Sequence, residues 1–384
     1  MVKILNTIPL YKPQNSLGNE EIDAVREVFK SGWMTHGPKT LEFERVFAEY
    51  VGTKYAVATS SCTSALYLAL DGLGIGKGDC VVVPVNTYHA TAGVVRWCGA
   101  EPVFCDVGKD GEIDPAKLAQ ILETNAKIKC VIPVHTYGFP CNMEAINQLT
   151  KRYGVSLVED CAQAHGATFG CKKVGSFGKV GCFSFYATKN LTTGEGGMLV
   201  TNNKKVQKKA SFMRSYFQTK TPAEKTADWH YDVTGLGFNF GMGEIEAAIG
   251  LVQMKKLDLI TRNRQELARK YKESLKEIEG ITMLHDPDDT LYHGVFHLLE
   301  IKVEKPYPLT RDELYHNLQE KGIITGVHFI PLHYFSYYRR TTKYKKGDFP
   351  CAETLFSKIL SLPMFPFMTE QEFQTIIGAL KANN

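Results

Sequence analysis

A single lysine, Lys189, follows the strand-like run Val180-Gly181-Cys182-Phe183-Ser184-Phe185-Tyr186, and a turn carrying Gly194, Gly196 and Gly197 comes after it. An isolated lysine is ordinarily a solvated surface charge. Here the apolar flanks would desolvate the amine, which favours the neutral form that attacks a carbonyl to make a Schiff base. The glycines would let backbone close tightly on a ligand. A second segment, Leu157-Val158-Glu159-Asp160-Cys161-Ala162-Gln163-Ala164-His165-Gly166-Ala167, is an apolar strand that ends in a carboxylate. Ligands of open α/β sheets gather at such strand ends. Asp160 there is either a partner for a protonated ring nitrogen or a helix N-cap. In the third segment, Ala58-Thr59-Ser60-Ser61-Cys62-Thr63-Ser64-Ala65-Leu66, hydroxyl residues stand between a strand and a helix. That is either a phosphate cup at a helix N-terminus or ordinary capping. Gly72, Gly74, Gly76 and Gly78 follow a helix with the wrong spacing for a dinucleotide fingerprint.

Something must hold these segments together, and the pattern of apolar residues says what. Two helical stretches, Glu20–Lys30 and Leu41–Tyr50, flank a loop at Ser31–Pro38. Short apolar runs then alternate with helical ones: Tyr55–Thr59, helix Ser64–Leu73, Cys80–Pro84, helix His89–Cys98, Pro102–Asp106, helix Pro115–Glu123, Lys129–Val134, helix Met143–Tyr153, Ser156–Asp160. Runs such as Val81-Val82-Val83 are apolar on both faces, so the spacing predicts an α/β fold with a mostly parallel sheet covered by helices. Strands at Gly181–Tyr186 and Gly197–Thr201 follow, and Lys204–Tyr231 reads as polar and irregular. Residues 243–279 read as long helices bridging to a second, α+β unit with a strand at His297–Val303 and helices at Arg311–Lys321 and Glu370–Lys381.

Taken together, Ser61–Leu66, Glu159–Ala167 and Phe183–Gly197 resemble the phosphate, pyridine and Schiff-base motifs of the DegT/StrS sugar aminotransferases, pyridoxal-phosphate enzymes of fold type I. Trp33–Pro38 with Phe43-Glu44, Gly99–Asp106, Pro133–Gly138, Gly237–Phe240 and Leu360–Pro363 fall in the family's order, so the resemblance runs from about residue 20 to 380. It implies that Lys189 carries pyridoxal 5'-phosphate and later shuttles the proton between substrate carbon and cofactor. Asp160 would pair with the pyridine nitrogen, Gln163 would bond the phenolic oxygen and Tyr88 would stack on the ring. The phosphate would be held by Cys62 and Thr63 N–H groups, by Ser184, and by Asn239 reaching across from a second subunit. The implied partners are a nucleotide-sugar substrate and glutamate, in a homodimer with composite active sites. Pyridoxamine phosphate is the implied aminated form of the cofactor. Residues 1–250 would form the large cofactor-binding domain and 251–384 the small one, with the first ~20 residues packing on the latter.

Two positions depart from the family pattern. Cys62 stands where glycine is usual, and Gly241 stands where a basic residue follows the Asn-aromatic pair of Asn239 and Phe240. Arg214 and Lys220 are candidate substitutes for that cation, against surface charge as the ordinary reading. The dehydratase branch of the family carries His in place of lysine, so Lys189 argues for amine transfer. The expected acceptor is a nucleotide-diphospho-4-keto-6-deoxyhexose; a 3-keto-sugar, a sugar phosphate, a cyclitol or a sugar dehydration are the alternatives. A non-enzymatic regulator on the same fold is disfavoured by intact Lys189, Asp160 and Ser184. His165, His328 and His333 also sit in family-like contexts, and Tyr334, Phe335, Tyr337, Tyr338, Arg339 and Arg340 form a patch that suits a nucleotide or a packed surface.

Composition narrows the remaining classes. The 384 residues include 45 Lys+Arg and 41 Asp+Glu, a net charge of +4 that gives no basic excess for nucleic acid. No stretch approaches the ~18–20 apolar residues that span a bilayer. The N-terminus lacks a signal-peptide pattern, so a cytoplasmic protein is expected. The ten cysteines sit mostly in apolar runs without C-x-x-C spacing, which reads as reduced, buried thiols. His293 and His297 lack the glutamate of a zinc-protease helix, so no metal is expected.

Overall fold

In the computed structural model, which describes residues 7–219 and 231–382, the alternating apolar runs pair into one seven-stranded sheet. Its strands are β1 (Tyr55–Thr59), β2 (Cys80–Pro84), β3 (Glu101–Cys105), β4 (Ile128–Val131), β5 (Ser156–Asp160), β6 (Val180–Ser184) and β7 (Gly197–Thr201). Their order across the sheet is β1-β7-β6-β5-β4-β2-β3. Strands β2 to β6 run parallel, and β7 lies antiparallel between β1 and β6. β1 therefore shares the direction of β6, and the carboxyl ends of β1, β2, β5 and β6 open on one edge.

Successive side chains feed opposite faces, as the pleat requires. Val81 and Val83 enter a core under α3 (Cys62–Gly72), α4 (Ala90–Trp97) and α7 (Lys204–Met213), while Val82 enters one under α5 (Pro115–Thr124) and α6 (Met143–Tyr153). Phe183 joins a third core beneath α2 (Pro38–Val51) and α8 (Glu244–Leu275), which α1 (Asn19–Ser31) flanks.

Two sequence expectations change here. The stretch read as irregular over Lys204–Tyr231 begins with a helix, its part at 220–230 lying outside the described residues: Lys204–Met213 is helix α7, capped by the Asn203 side chain, which accepts from the N–H groups of Lys205 and Val206. Only Val206, Ala210 and Met213 are buried on it, a stripe hidden among lysines. The bridge, read as long helices, is the single 32-residue helix α8. At its start Glu244 accepts from the N–H groups of Gly37, Lys39 and Thr40, each at 2.8 Å, and so caps α2 from across the fold.

The far half of α8 packs Leu267, Tyr271 and Leu275 into a separate core. There β8 (Ile281–Met283), β9 (Leu299–Val303) and β10 (Ile359–Leu362) form an antiparallel sheet in the order β8-β9-β10. Helices α9 (Arg311–Glu320), α11 (Pro350–Lys358) and α12 (Glu370–Lys381) contribute to it, α10 (Ser336–Thr341) lying outside. The N-terminal stretch joins this core: Ile8 bridges Ile323, and the Met364 N–H donates to the Leu10 carbonyl. Among the described residues, no helix is long and apolar enough to cross a membrane. All ten cysteines are free; seven are buried, Cys98 is half-buried, and Cys171 and Cys351 are exposed.

Candidate active site

A cavity of about 660 Å³ opens where the strand ends meet the small core. Ser61, Cys62, Thr63, Tyr88, Asp160, Gln163, Ser184 and Lys189 all line it, so the three sequence segments converge.

Lys189 stands in a closed loop between β6 and β7. The Phe185 N–H donates to the Gly196 carbonyl at 2.8 Å, the Thr193 N–H to the Phe185 carbonyl at 2.9 Å and the Lys189 N–H to the Tyr186 carbonyl at 2.9 Å. Backbone bonds thus fix where the side chain starts. The residue as a whole is half-buried because it borders a cavity, but its amine sits deep among the walls. Desolvation pulls that amine down to about 8, against the opposing pull of Cys62 and Asp160. At that value about a tenth of the amine is neutral at pH 7, far more than for an ordinary lysine, and the neutral form is what a Schiff-base lysine needs.

Asp160 ends β5 and is buried. Its Oδ1 accepts from the Ala162 N–H at 3.1 Å, and its Oδ2 accepts from Thr91 Oγ1 at 2.9 Å. Burial raises the carboxyl, while these bonds and the nearby Lys189 and His135 oppose the rise. No cation touches it among the described residues, so a protonated ring nitrogen in the cavity would supply a missing partner. Thr91 and Thr87, whose hydroxyls are 3.1 Å apart, were not singled out in the sequence. Thr91 lies in the first turns of α4, after a strand end, which is the only local signal it gives.

The phosphate side is built by α3. Ser61 caps it, its hydroxyl accepting from the Ser64 N–H at 3.1 Å, and the following N–H groups of Cys62 and Thr63 lack partners inside the helix. Cys62 is not among the residues of positive φ, so a side chain there causes no backbone strain. Gly197, in contrast, admits none: a methyl group would lie 2.3 Å from the Ser61 carbonyl carbon and 2.5 Å from the Cys62 nitrogen. Ser184 ends β6 and lines the same corner, where its hydroxyl accepts from the Tyr186 N–H at 3.3 Å.

Gln163 accepts from the Tyr137 N–H through Oε1 at 2.6 Å, which fixes the amide's orientation and turns its NH₂ group to other partners. Tyr88 is exposed at the cavity wall, its ring 4.2 Å from that of His89. Asn239 is exposed and does not line its own chain's cavity. The carbonyl of its neighbour Phe240 accepts from the Ser60 N–H at 2.8 Å, which puts this segment beside the phosphate corner. A side chain at Gly241 would meet nothing within 4 Å. These features fit pyridoxal phosphate: a neutralisable lysine, an unpaired buried carboxylate, and a helix N-terminus that a glycine holds close.

Other candidates fall outside. Arg214 is neither a surface charge nor a cavity cation: it is buried, donating to Glu44 Oε1 at 2.5 Å and the Ala58 carbonyl at 2.7 Å. Lys220 lies outside the described residues. His333 bonds Glu353 at 3.0 Å away from the cavity, and His165 is buried outside its lining. The aromatic patch divides: Phe335 lines the cavity, Tyr338 packs on Phe104, and Tyr337 is exposed. His135, Glu159 and Cys161 cluster closely enough for a metal. However, Glu159 already accepts from the N–H groups of Gly175, Phe177 and Gly178, so it serves that loop. Sequence reasoning missed Tyr11 and His297, stacked 5.8 Å apart on the opposite wall; their segments meet only in three dimensions.

A mostly parallel sheet with a desolvated lysine and a buried carboxylate at its carboxyl edge fits a pyridoxal-phosphate enzyme, and the relatives make the class a transaminase. The sequence matches the DegT/DnrJ/EryC1/StrS aminotransferase family over residues 15–381, and the chain belongs to that family of sugar aminotransferases. It is 38% identical over 370 residues to the spore coat polysaccharide biosynthesis protein SpsC of Bacillus subtilis, covering 95% of this chain and 94% of that one. The aminotransferase TlmJ of Streptoalloteichus hindustanus superposes with a TM-score of 0.89 at 31% identity, covering 98% of both chains. Helicobacter pylori PseC, an aminotransferase involved in the biosynthesis of pseudoaminic acid, superposes at 0.90 with 28% identity, covering 98% of this chain and 99% of that one.

Proposed function

We propose that the protein moves an amino group from glutamate to a keto-sugar, with a nucleotide-diphospho-4-keto-6-deoxyhexose as acceptor. The observation that carries this reading is the meeting of Lys189, Asp160 and the α3 N-terminus in one cavity. When bound, pyridoxal phosphate supplies an electron sink for charge developing on the substrate carbon, and its aminated form, pyridoxamine phosphate, carries the amine between substrates. Lys189 takes the proton from the α-carbon of glutamate and later delivers one to the carbon that bore the sugar ketone. Asp160, held by Thr91 and the Ala162 N–H, keeps a proton on the pyridine nitrogen. Gln163 donates its NH₂ group to the phenolic oxygen, and Tyr88 covers the ring. The Cys62 and Thr63 N–H groups and the Ser184 hydroxyl take the phosphate.

In the proposed homodimer the partner subunit's Asn239 completes that phosphate site, which fits its absence from its own chain's cavity. Residues 1–250 hold the cofactor and 251–384 close the cleft. On this reading the reaction runs in the cytoplasm, where nucleotide sugars and glutamate are at hand. The test is transfer of ¹⁵N from labelled glutamate to a panel of nucleotide 4-keto and 3-keto sugars, sugar phosphates and cyclitols, read by mass spectrometry. Label in a 4-amino sugar is the expected result. Label only in another class, or dehydration without label, would sink this assignment.

A further inference from the structure

The cavity wall opposite the large sheet holds three polar side chains in series. Nδ1 of His328 lies 2.6 Å from Ser361 Oγ, and Ser361 Oγ lies 2.6 Å from Glu300 Oε1. Glu300 and Ser361 face one another across the β9–β10 pairing, and Ser361 also bridges Gly326. A methyl group on Gly326 would lie 2.7 Å from His328 Cε1, so glycine there gives the imidazole its place. Glu300 and Ser361 are fully enclosed, and Glu300 Oε2 has no partner among the described residues. His328 lines the cavity; its Nε2 has no partner among the described residues and is not enclosed, so it opens to the cavity.

A net negative charge on this unit would be buried without a cation in contact, a costly state. Neutrality requires one proton shared between His328 and Glu300, and two placements keep every hydrogen of the series bonded; a proton on Glu300 Oε2 would have no acceptor among the described residues. On Glu300, the carboxyl donates to Ser361 Oγ and the serine hydroxyl donates to Nδ1. On His328, Nδ1–H donates to Ser361 and the hydroxyl donates to the carboxylate. Both leave a hydrogen on Nε2. We propose that Glu300, acting through Ser361, is a positioning residue that keeps His328 protonated on Nε2, so that His328 donates a hydrogen bond to an oxygen of the bound substrate. No arginine lines this cavity among the described residues.

Burial pushes Glu300 up to about 8 and His328 down to about 4, both toward the uncharged pair. The titratable groups facing Glu300 are Tyr11 from the N-terminal stretch, Tyr137 from the loop after β4, and His328; Lys189 and His297 face His328. As Glu300 ionises above about 8, the bonds reverse. Nδ1–H then donates toward the carboxylate, and Nε2 becomes an acceptor.

The experiment is ¹⁵N NMR of ring-labelled histidine in the holoenzyme, with His328→Gln identifying the signal. In the native protein Nε2 is protonated at neutral pH and loses its hydrogen in the alkaline range. In Glu300→Gln, where the amide stays a donor to Ser361, it keeps it. An unprotonated Nε2 at neutral pH, or identical titrations in the two proteins, overturns the proposal. If Glu300→Gln does not fold, the native spectrum and Ser361→Ala, which breaks the link, still decide. The two half-reactions locate the ligand oxygen: His328→Phe raises KM about tenfold, the loss of one hydrogen bond, either for glutamate or for dTDP-4-keto-6-deoxyglucose. No change in either also overturns it. The substrate arm rests on the function proposed above. An enzyme that takes nitrogen from glutamate but not to that sugar counts against the sugar alone, because the titration needs no substrate.

Discussion

Thr91 Oγ1 donates to Asp160 Oδ2 at 2.9 Å, joining the start of α4 to the end of β5 at the floor of the cavity. Asp160→Asn removes the charge that would hold a pyridine proton. Loss of such a preorganised electrostatic partner typically costs about 10²–10³ in rate. Thr91→Val removes only a positioning bond, so a smaller loss, about tenfold, is expected in kcat with KM nearly unchanged. Equal losses in both variants would show that Asp160 does not act through its charge.

Lys189→Ala is expected to abolish transamination together with the visible absorbance that the cofactor gains on attachment to lysine. Retained turnover in that variant would remove Lys189 from the mechanism.

The amine of Lys189, drawn down to about 8, gives a pH dependence of known sign. Below that value the amine is protonated and cannot attack a carbonyl; above it the amine is free. Attachment of pyridoxal phosphate to apoenzyme should therefore quicken as pH rises and level off above about 8, where an ordinary lysine would keep quickening toward ~10.4. Stopped-flow absorbance from neutral to alkaline pH follows it.

Gly197→Ala should lower cofactor affinity, because the added methyl must displace the Ser61–Cys62 backbone. Overpacking of this kind costs about 1–3 kcal/mol. Titration of apoenzyme with pyridoxal phosphate should show a weaker Kd, whereas Gly241→Ala, in open space, should leave it unchanged.

Arg214→Met leaves Glu44 without its cation in a nearly dry setting. Breaking a buried pair from one side costs about 3–5 kcal/mol. Urea unfolding of the holoenzyme should register that loss, and the fraction that stays folded should keep its kcat.

The large sheet was legible because strands buried on both faces are written as unbroken apolar runs. Tyr55–Thr59, Cys80–Pro84, Ser156–Asp160 and Gly197–Thr201 have the bounds the sequence predicts, each built around a short apolar run. Helix α7 was not, since three buried residues among lysines make a faint stripe and its best signal is the Asn203 cap. Lys189, Asp160 and the Ser61 region could be found because each sits at or just after a strand end with its own local context. Arg214 could not, because its partners Glu44 and Ala58 lie 170 and 156 residues away in the chain. The same holds for Glu300 and Ser361, on neighbouring strands of the small sheet, and His328, in the loop after α9, whose spacing in the chain carries no pattern.

Helix α8 belongs both to the core beneath α2 and to the core of the small sheet, and this bears on how such proteins exchange parts. It is anchored at one end by Glu244 on α2 and at the other by Leu275 in the second core. A crossover between relatives at residue 250 would join mismatched halves of one helix, while Gly243, just before its first turn, offers a seam that keeps the helix whole. Recombination that alters the substrate wall while sparing the lysine side has to carry all of α8 with it.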